Sequence, residues 1–304
     1  MRAFKAIYAL LLLLLIPGSV TADHSKIMLI NSDASVEKYA SAQMEFKSTI
    51  AYPIKYVNLG EKEWKLQEIE DLLFDEYPDL VYCIGTKAYA AANRFLKEKD
   101  IVFSSIINWQ RLPVTERTLG VSNELPPEME IMLFRYMFPG VRKIGVLYSE
   151  EYNGQWVNQA GAQAKEMGVE IIGCAVEESG EAVSALKKSL PDMDALWLIS
   201  DPVIISDKKV LIQLFTECDA GKKPVFSYQE AFAKQGAALI VSVDNATIGR
   251  QAAKIAMDVL SGEKITEKVQ FPAGSQIIMN LNKVKEYGLE YNTDALASVN
   301  QLIE

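Results

Sequence analysis

Histidine is almost missing from this 304-residue chain: His24 is the only one. Any folded body beyond it has no imidazole to act as general base, triad member or metal ligand. No Gly-x-Ser-x-Gly elbow, Walker loop or Gly-x-Gly-x-x-Gly fingerprint occurs. Carboxylate pairs such as Glu150-Glu151 and Glu177-Glu178 are neighbours in sequence, a pattern of solvated faces more than of acid/base chemistry. These absences argue against an enzyme and call for no cofactor and no metal. Basic clusters are lacking as well. Lys and Arg number 31 against 40 Asp and Glu, for a formal charge of −9, which excludes an electrostatic surface for nucleic acid. Cysteine is scarce and odd in number: Cys83, Cys174 and Cys218. Cys83 and Cys174 sit in apolar strand patterns, where a free thiol behaves as a small hydrophobe, while Cys218 leaves both a thiol and a disulfide open.

What is present begins with an export signal. Arg2 and Lys5 precede an apolar run from Ala6 to Ile16, Pro17-Gly18 ends it, and Val20-Thr21-Ala22 offers small residues before Asp23. The run is about half the ~20 residues a membrane-spanning helix needs, and no later segment is apolar and long enough to span. Residues 1–22 are therefore expected to be a cleaved signal peptide that delivers the rest to the periplasm. Without Arg2 and Lys5 the charge falls from −9 to −11.

The remaining chain contains one module twice. Lys26-Ile27-Met28-Leu29-Ile30-Asn31-Ser32 has the shape of Lys143-Ile144-Gly145-Val146-Leu147-Tyr148-Ser149, and Tyr77 to Thr86 is echoed by Leu190 to Asp201 at nearly the same offset. Strands are predicted over 27–31, 54–59, 80–84, 101–107 and 118–122, then over 144–148, 170–176, 195–199, 225–228 and 238–243. Most are continuous apolar runs, as in a parallel sheet covered on both faces. Helical periodicity fills the gaps, over 36–50, 64–74, 181–190 and 248–260. Ser35 is placed to cap the first of these, and Pro126-Pro127 to start a helix that Pro139-Gly140 stops. Alternation of this kind means α/β architecture: two doubly wound, Rossmann-like lobes with a cleft between them.

These stretches resemble the substrate-binding proteins of ABC transporters, in particular the group of type I periplasmic binding fold that includes tryptophan and tyrosine binders. The resemblance is carried by Leu80 to Ala88, Pro139 to Tyr148, Asp194 to Asp201, Pro224 to Tyr228, Val243 to Gln251, Leu260 to Glu263 and Met279 to Asn282, and it covers almost all of the chain after the signal. It implies a three-crossover hinge near Gly120, Asp244 and Val269. One lobe would hold 26–119 plus 245–267, the other 120–244 plus 270–304. It also implies hinge closure on a small ligand, an amino acid and first of all an aromatic one, with branched-chain amino acids and purine-like rings next. The implied partner is an ABC permease in the inner membrane, and a monomer is expected. A ligand-binding subunit of a signalling receptor is the alternative. One departure stands out: relatives commonly carry Asp-Pro-Val after the fourth strand, where this chain reads Ile107-Asn108-Trp109-Gln110.

Ligands of open α/β sheets bind beyond the carboxyl ends of the strands. That rule selects Gly85, Thr86, Asn108 and Trp109 in the first lobe, and Ser200, Asp201, Ser227, Tyr228 and Asp244 in the second. Thr86 would meet a ligand carboxylate, Asp201 or Asp244 an ammonium, and Trp109 or Tyr228 a flat ring. Each acid or hydroxyl also suits a helix cap. On the binding reading, loss of Thr86 or Asp201 weakens affinity and leaves the fold intact.

Overall fold

The structure is a computed structural model that describes residues 26–304; the expected signal peptide and His24 lie outside the described residues. From β1 (Ile27–Asn31) the chain runs through α1 (Glu37–Thr49), β2 (Ile54–Asn58), α2 (Leu66–Glu76), β3 (Leu80–Ile84), α3 (Thr86–Phe95), β4 (Asp100–Ser104) and β5 (Thr118–Val121). After α4 (Pro127–Met137) the pattern restarts with β6 (Lys143–Tyr148), α5 (Glu150–Glu166), β7 (Glu170–Ala175), α6 (Ala182–Ser189), β8 (Ala195–Leu198), α7 (Lys208–Ala220), β9 (Val225–Ser227) and β10 (Leu239–Val243). Then come α8 (Asn245–Leu260), β11 (Val269–Gln270), β12 (Ser275–Asn280), α9 (Leu281–Tyr287) and β13 (Gln301–Ile303).

Two sheets result. The first has the order β11-β5-β4-β3-β1-β2 and the second β13-β12-β10-β9-β8-β6-β7. The repeat seen in the sequence is thus a repeat of topology. In each lobe the first five strands take the order 2-1-3-4-5, a doubly wound arrangement with its switch point between the first and third strands. All pairs are parallel except β10 with β12. The apolar runs that announce the strands are buried on both faces: every residue of β1 and of β3 is buried. Tyr82 stacks on Phe46 with ring centroids 4.0 Å apart, and Trp197 packs edge-on to Phe134 in the second lobe.

The path between the sheets differs from the expected hinge. Gly120 lies inside β5 and Val269 inside β11, both strands of the first sheet. The chain leaves that sheet over 122–126, returns through Asp244 into α8, and leaves again over 271–274. Helix α8 packs on α1, closely enough that a Cβ at Gly249 would stand 2.2 Å from the Ala42 carbonyl oxygen; only glycine fits that crossing.

Local details also depart from the sequence reading. The fourth strand stops at Ser104 rather than 107, because Ser105 (φ 58) and Asn108 (φ 55) turn the chain in the left-handed region. Ser35 does not cap α1: the N-cap is Val36, and the Ser35 hydroxyl donates instead to Asp33, at 2.7 Å. The strands β11, β12 and β13 escape the sequence reading; β11 and β13, at two and three residues, are too short to show a period. The three cysteines are free, Cys83 and Cys218 buried and Cys174 half-buried. Burial pushes the Cys218 thiol up to about 12, so it stays protonated and inert. Among the described residues no helix is long and apolar enough to cross a membrane.

Candidate functional site

Between the two sheets lies a cavity of about 340 Å³, at the small end of the roughly 300–1,000 Å³ usual for small-molecule sites. Its floor and one wall come from the carboxyl ends of β8, β9 and β10: Ile199 and Ser200, Tyr228, and Ser242 with Val243. A second wall is the start of α5, with Tyr152 and Trp156. A third is the crossover from β5 into α4, with Asn123, Glu124 and Glu130. The first lobe contributes Asn108, Gln110 and Arg111 from the turn after β4.

The walls are strongly aromatic. Trp156 and Trp197 pack at 61° with centroids 5.0 Å apart. Tyr228 is braced edge-on by Phe232 at 5.6 Å. Tyr152 and Phe271 stand exposed at the rim, and the Arg111 guanidinium lies 4.4 Å over the Tyr152 ring, linking the lobes by a cation–π contact.

Polar side chains line it as well, and several are tied into specific contacts. The Asn108 backbone N–H donates to Glu124, and its side-chain amide donates across the cleft to the Ser200 carbonyl at 2.7 Å. The left-handed conformation of Asn108 aims both donors at once, which an asparagine tolerates better than most residues. The Ser122 hydroxyl donates to the other Glu124 oxygen at 2.9 Å. Burial nevertheless raises the Glu124 pKa, against the pull of those two donors. Glu130, in the first turn of α4, is pushed up to about 8 by burial. The charge of Glu124 adds to that rise, and the Trp197 indole N–H offsets part of it. The Tyr228 phenol is raised by burial and by Glu124. The Asn123 side-chain oxygen is buried without a hydrogen-bond partner.

Of the residues selected from the sequence, Asn108, Ser200 and Tyr228 line this cavity. The others stand elsewhere. Asp201 is fully buried and spent on the fold. One oxygen accepts from the Ser149 N–H, the Ser149 hydroxyl and the Asn153 amide, and the other from the Val203 and Ile204 N–H groups. Asp244 caps α8, accepting from the Ala246 N–H at 3.1 Å and from the Thr247 hydroxyl. Thr86 is the exposed first residue of α3. Gly85 takes φ +84, and a Cβ there would lie 2.7 Å from the Ser32 hydroxyl, which accepts the Ala88 N–H at the start of the same helix. Trp109 tilts against Phe103 in the first-lobe core. Ser227 is buried, with an unpartnered hydroxyl.

Sequence reasoning missed Glu124, Glu130, Tyr152 and Trp156. The signal for the first was present: Ser122-Asn123-Glu124 follows the end of a predicted strand, where the same carboxyl-end rule applies. Tyr152 and Trp156 follow the strand at 143–148 and sit four apart on one helix face. Glu130 lies inside a helix, and no strand-end rule reaches it.

The family model described as ABC transporter substrate binding protein matches residues 38–303. A tyrosine-binding protein of Clostridioides difficile is 23% identical over 234 residues, covering 74% of this chain and 67% of that protein. Among solved structures, the ligand-free, open form of a substrate binding protein with adhesive properties from Clostridium difficile superposes with a TM-score of 0.72. It is 17% identical, covering 92% of this chain and 99% of that one. An ABC domain in complex with L-Trp from Streptococcus pneumonia gives 0.60 at 20% identity, over 91% and 100% of the two chains. At such identities the structural likeness is one of fold.

Proposed function

The chain belongs to the ABC transporter substrate-binding protein family, and from that premise we propose that it is the solute-binding component of an ABC importer. It is exported by its N-terminal signal and works as a monomer in the periplasm. It takes a small ligand with a flat apolar part, an aromatic amino acid first of all, into the cleft between the lobes. The observation that carries this reading is the cavity itself, walled by Trp156, Trp197, Tyr152 and Tyr228 and lined from both lobes. The tyrosine-binding relative supports the same ligand class.

The mechanism follows from geometry. Residues 122–126, Asp244 and residues 271–274 are the strands of chain that join the lobes, so relative motion of the lobes bends few residues. Asn108 and Arg111 reach from the first lobe onto Ser200 and Tyr152 of the second, and a ligand touching both sides favours the state in which they meet. It can do so only through tighter binding to that state. The closed surface is what the inner-membrane permease reads.

The test is a thermal-shift screen of the signal-free, ligand-stripped protein against amino acids, nucleobases and small sugars. A true ligand at 100 times its Kd adds about 2.7 kcal/mol, a shift of several degrees. A response confined to aromatic amino acids is expected. A response confined to sugars or nucleobases would overturn the ligand class.

A further inference from the structure

Two carboxylates, Glu124 and Glu130, stand together in the lining of the cavity. Glu130 is 6% exposed. The Trp197 indole is the group that supports its charge. A buried carboxylate so poorly compensated costs stability, where a leucine or glutamine would not. Glu124 is held in place by the Asn108 N–H and the Ser122 hydroxyl, yet each of its oxygens keeps accepting capacity. Beside them the Asn123 side-chain oxygen is a third buried acceptor, with no donor at all. Three acceptor side chains converge on one wall, and the lining offers a single cationic side chain, Arg111, stacked on Tyr152 at the rim. The carboxylate wall therefore has no positive charge of its own.

We propose that Glu124 and Glu130, with Asn123, form the cation-reading subsite of the cavity, so that its ligand carries a protonated nitrogen beside its flat apolar part. The inference rests on the binding role proposed above and names the group that role requires. An ammonium has three donors, one for each acceptor on the wall, and the faces of Trp156 and Tyr228 add cation–π attraction. Arg111 at the opposite side of the mouth takes the ligand carboxylate when there is one. The site thereby admits both zwitterions and simple cations, and rejects lone anions.

The subsite has a proton to give up. Glu130 shares the cavity lining with Glu124 from the crossover, Trp197 from β8, Tyr228 from the end of β9, Tyr152 from α5 and Arg111 from the first lobe, and Trp197 and Glu124 act on it directly. In the empty cavity burial holds its carboxyl neutral at pH 7. A cation seated beside it favours the charged form, so binding expels a proton.

The experiment is calorimetric titration of the signal-free chain with four probes: L-tryptophan, tryptamine, indole-3-propionate and putrescine. Wild type is compared with Glu124→Gln and Glu130→Gln. Tryptophan and tryptamine are expected to bind, indole-3-propionate to bind at least about 30-fold more weakly, and Glu124→Gln to weaken tryptamine about 10- to 100-fold. Circular dichroism of the variants checks that they fold. If indole-3-propionate matches tryptamine, or both folded variants bind tryptamine as wild type does, the subsite is wrong while the aromatic reading stands. Putrescine binding with no indole binding would uphold the subsite and overturn the aromatic reading. Failure of all three amines overturns the subsite.

Discussion

The carboxyl ends of the two sheets share a strand order and differ in what their polar residues do. Each switch point is bolted by one acceptor. In the first lobe the Ser32 hydroxyl, after β1, accepts the Ala88 N–H at the start of α3. In the second Asp201, after β8, accepts the Ser149 N–H at the start of α5. Beyond the bolts the lobes diverge. In the first, Tyr82 and Ser104 bond to each other at 2.7 Å, and Asn31 is satisfied by Gln43 at 2.9 Å. In the second, Ser200, Tyr228 and Ser242 open onto the cavity, and Glu124 and Glu130 face it with acceptors to spare. Polarity at a strand end therefore does not mark a site. What marks it is polarity left unspent by the fold that also opens onto a cavity.

The largest effect should come from breaking a bolt. Asp201→Ala strands several buried donors at once and is expected to destabilise the chain by about 3–5 kcal/mol, seen as a lower midpoint in urea. An affinity loss with an unchanged midpoint would instead make Asp201 a ligand contact. Next comes the contrast in unspent charge. Because folding raises the Glu130 pKa to about 8, its neutral form contributes fully at low pH, and that contribution is lost as pH rises towards 8. Glu130→Gln keeps an acceptor for the Trp197 indole but cannot ionise. It should be more stable than wild type by about 4 kcal/mol at pH 8, and equal to it near pH 4. Denaturation across pH 4–9 checks this; parallel curves would mean that Glu130 is not buried as described.

A ligand effect of similar origin is smaller. Expulsion of the Glu130 proton makes tryptamine affinity rise between about pH 6 and pH 8, by up to about tenfold per pH unit, and level off above. Flat affinity in wild type would break the link between burial and binding, and Glu130→Gln should flatten it. The smallest effect belongs to the first lobe. Thr86→Ala, at an exposed helix start, should change neither stability nor affinity by more than about 0.5 kcal/mol, and a larger loss of affinity would return the first lobe's strand ends to the site.

Much of this molecule was legible as sequence. The apolar runs 27–31, 80–84 and 195–199 could be nothing but buried strands, because so many consecutive apolar side chains need cover on both faces. The offset between Lys26 and Lys143 marked the repeat, and the single histidine argued against familiar catalysis. Periodicity is a local property, so it reads elements and their order. The site was only partly legible. Asn108, Ser200 and Tyr228 follow from the strand-end rule, but the same rule chose Asp201 and Asp244, whose carboxylates cap and bolt helices. Only the tertiary structure separates these cases, since whether a donor N–H from another segment reaches a carboxylate depends on how distant strands are paired. The same holds for Glu130. Its chemistry comes from burial beside Trp197 and Glu124, and burial exists only once β8, the crossover and the first turn of α4 have closed around one space.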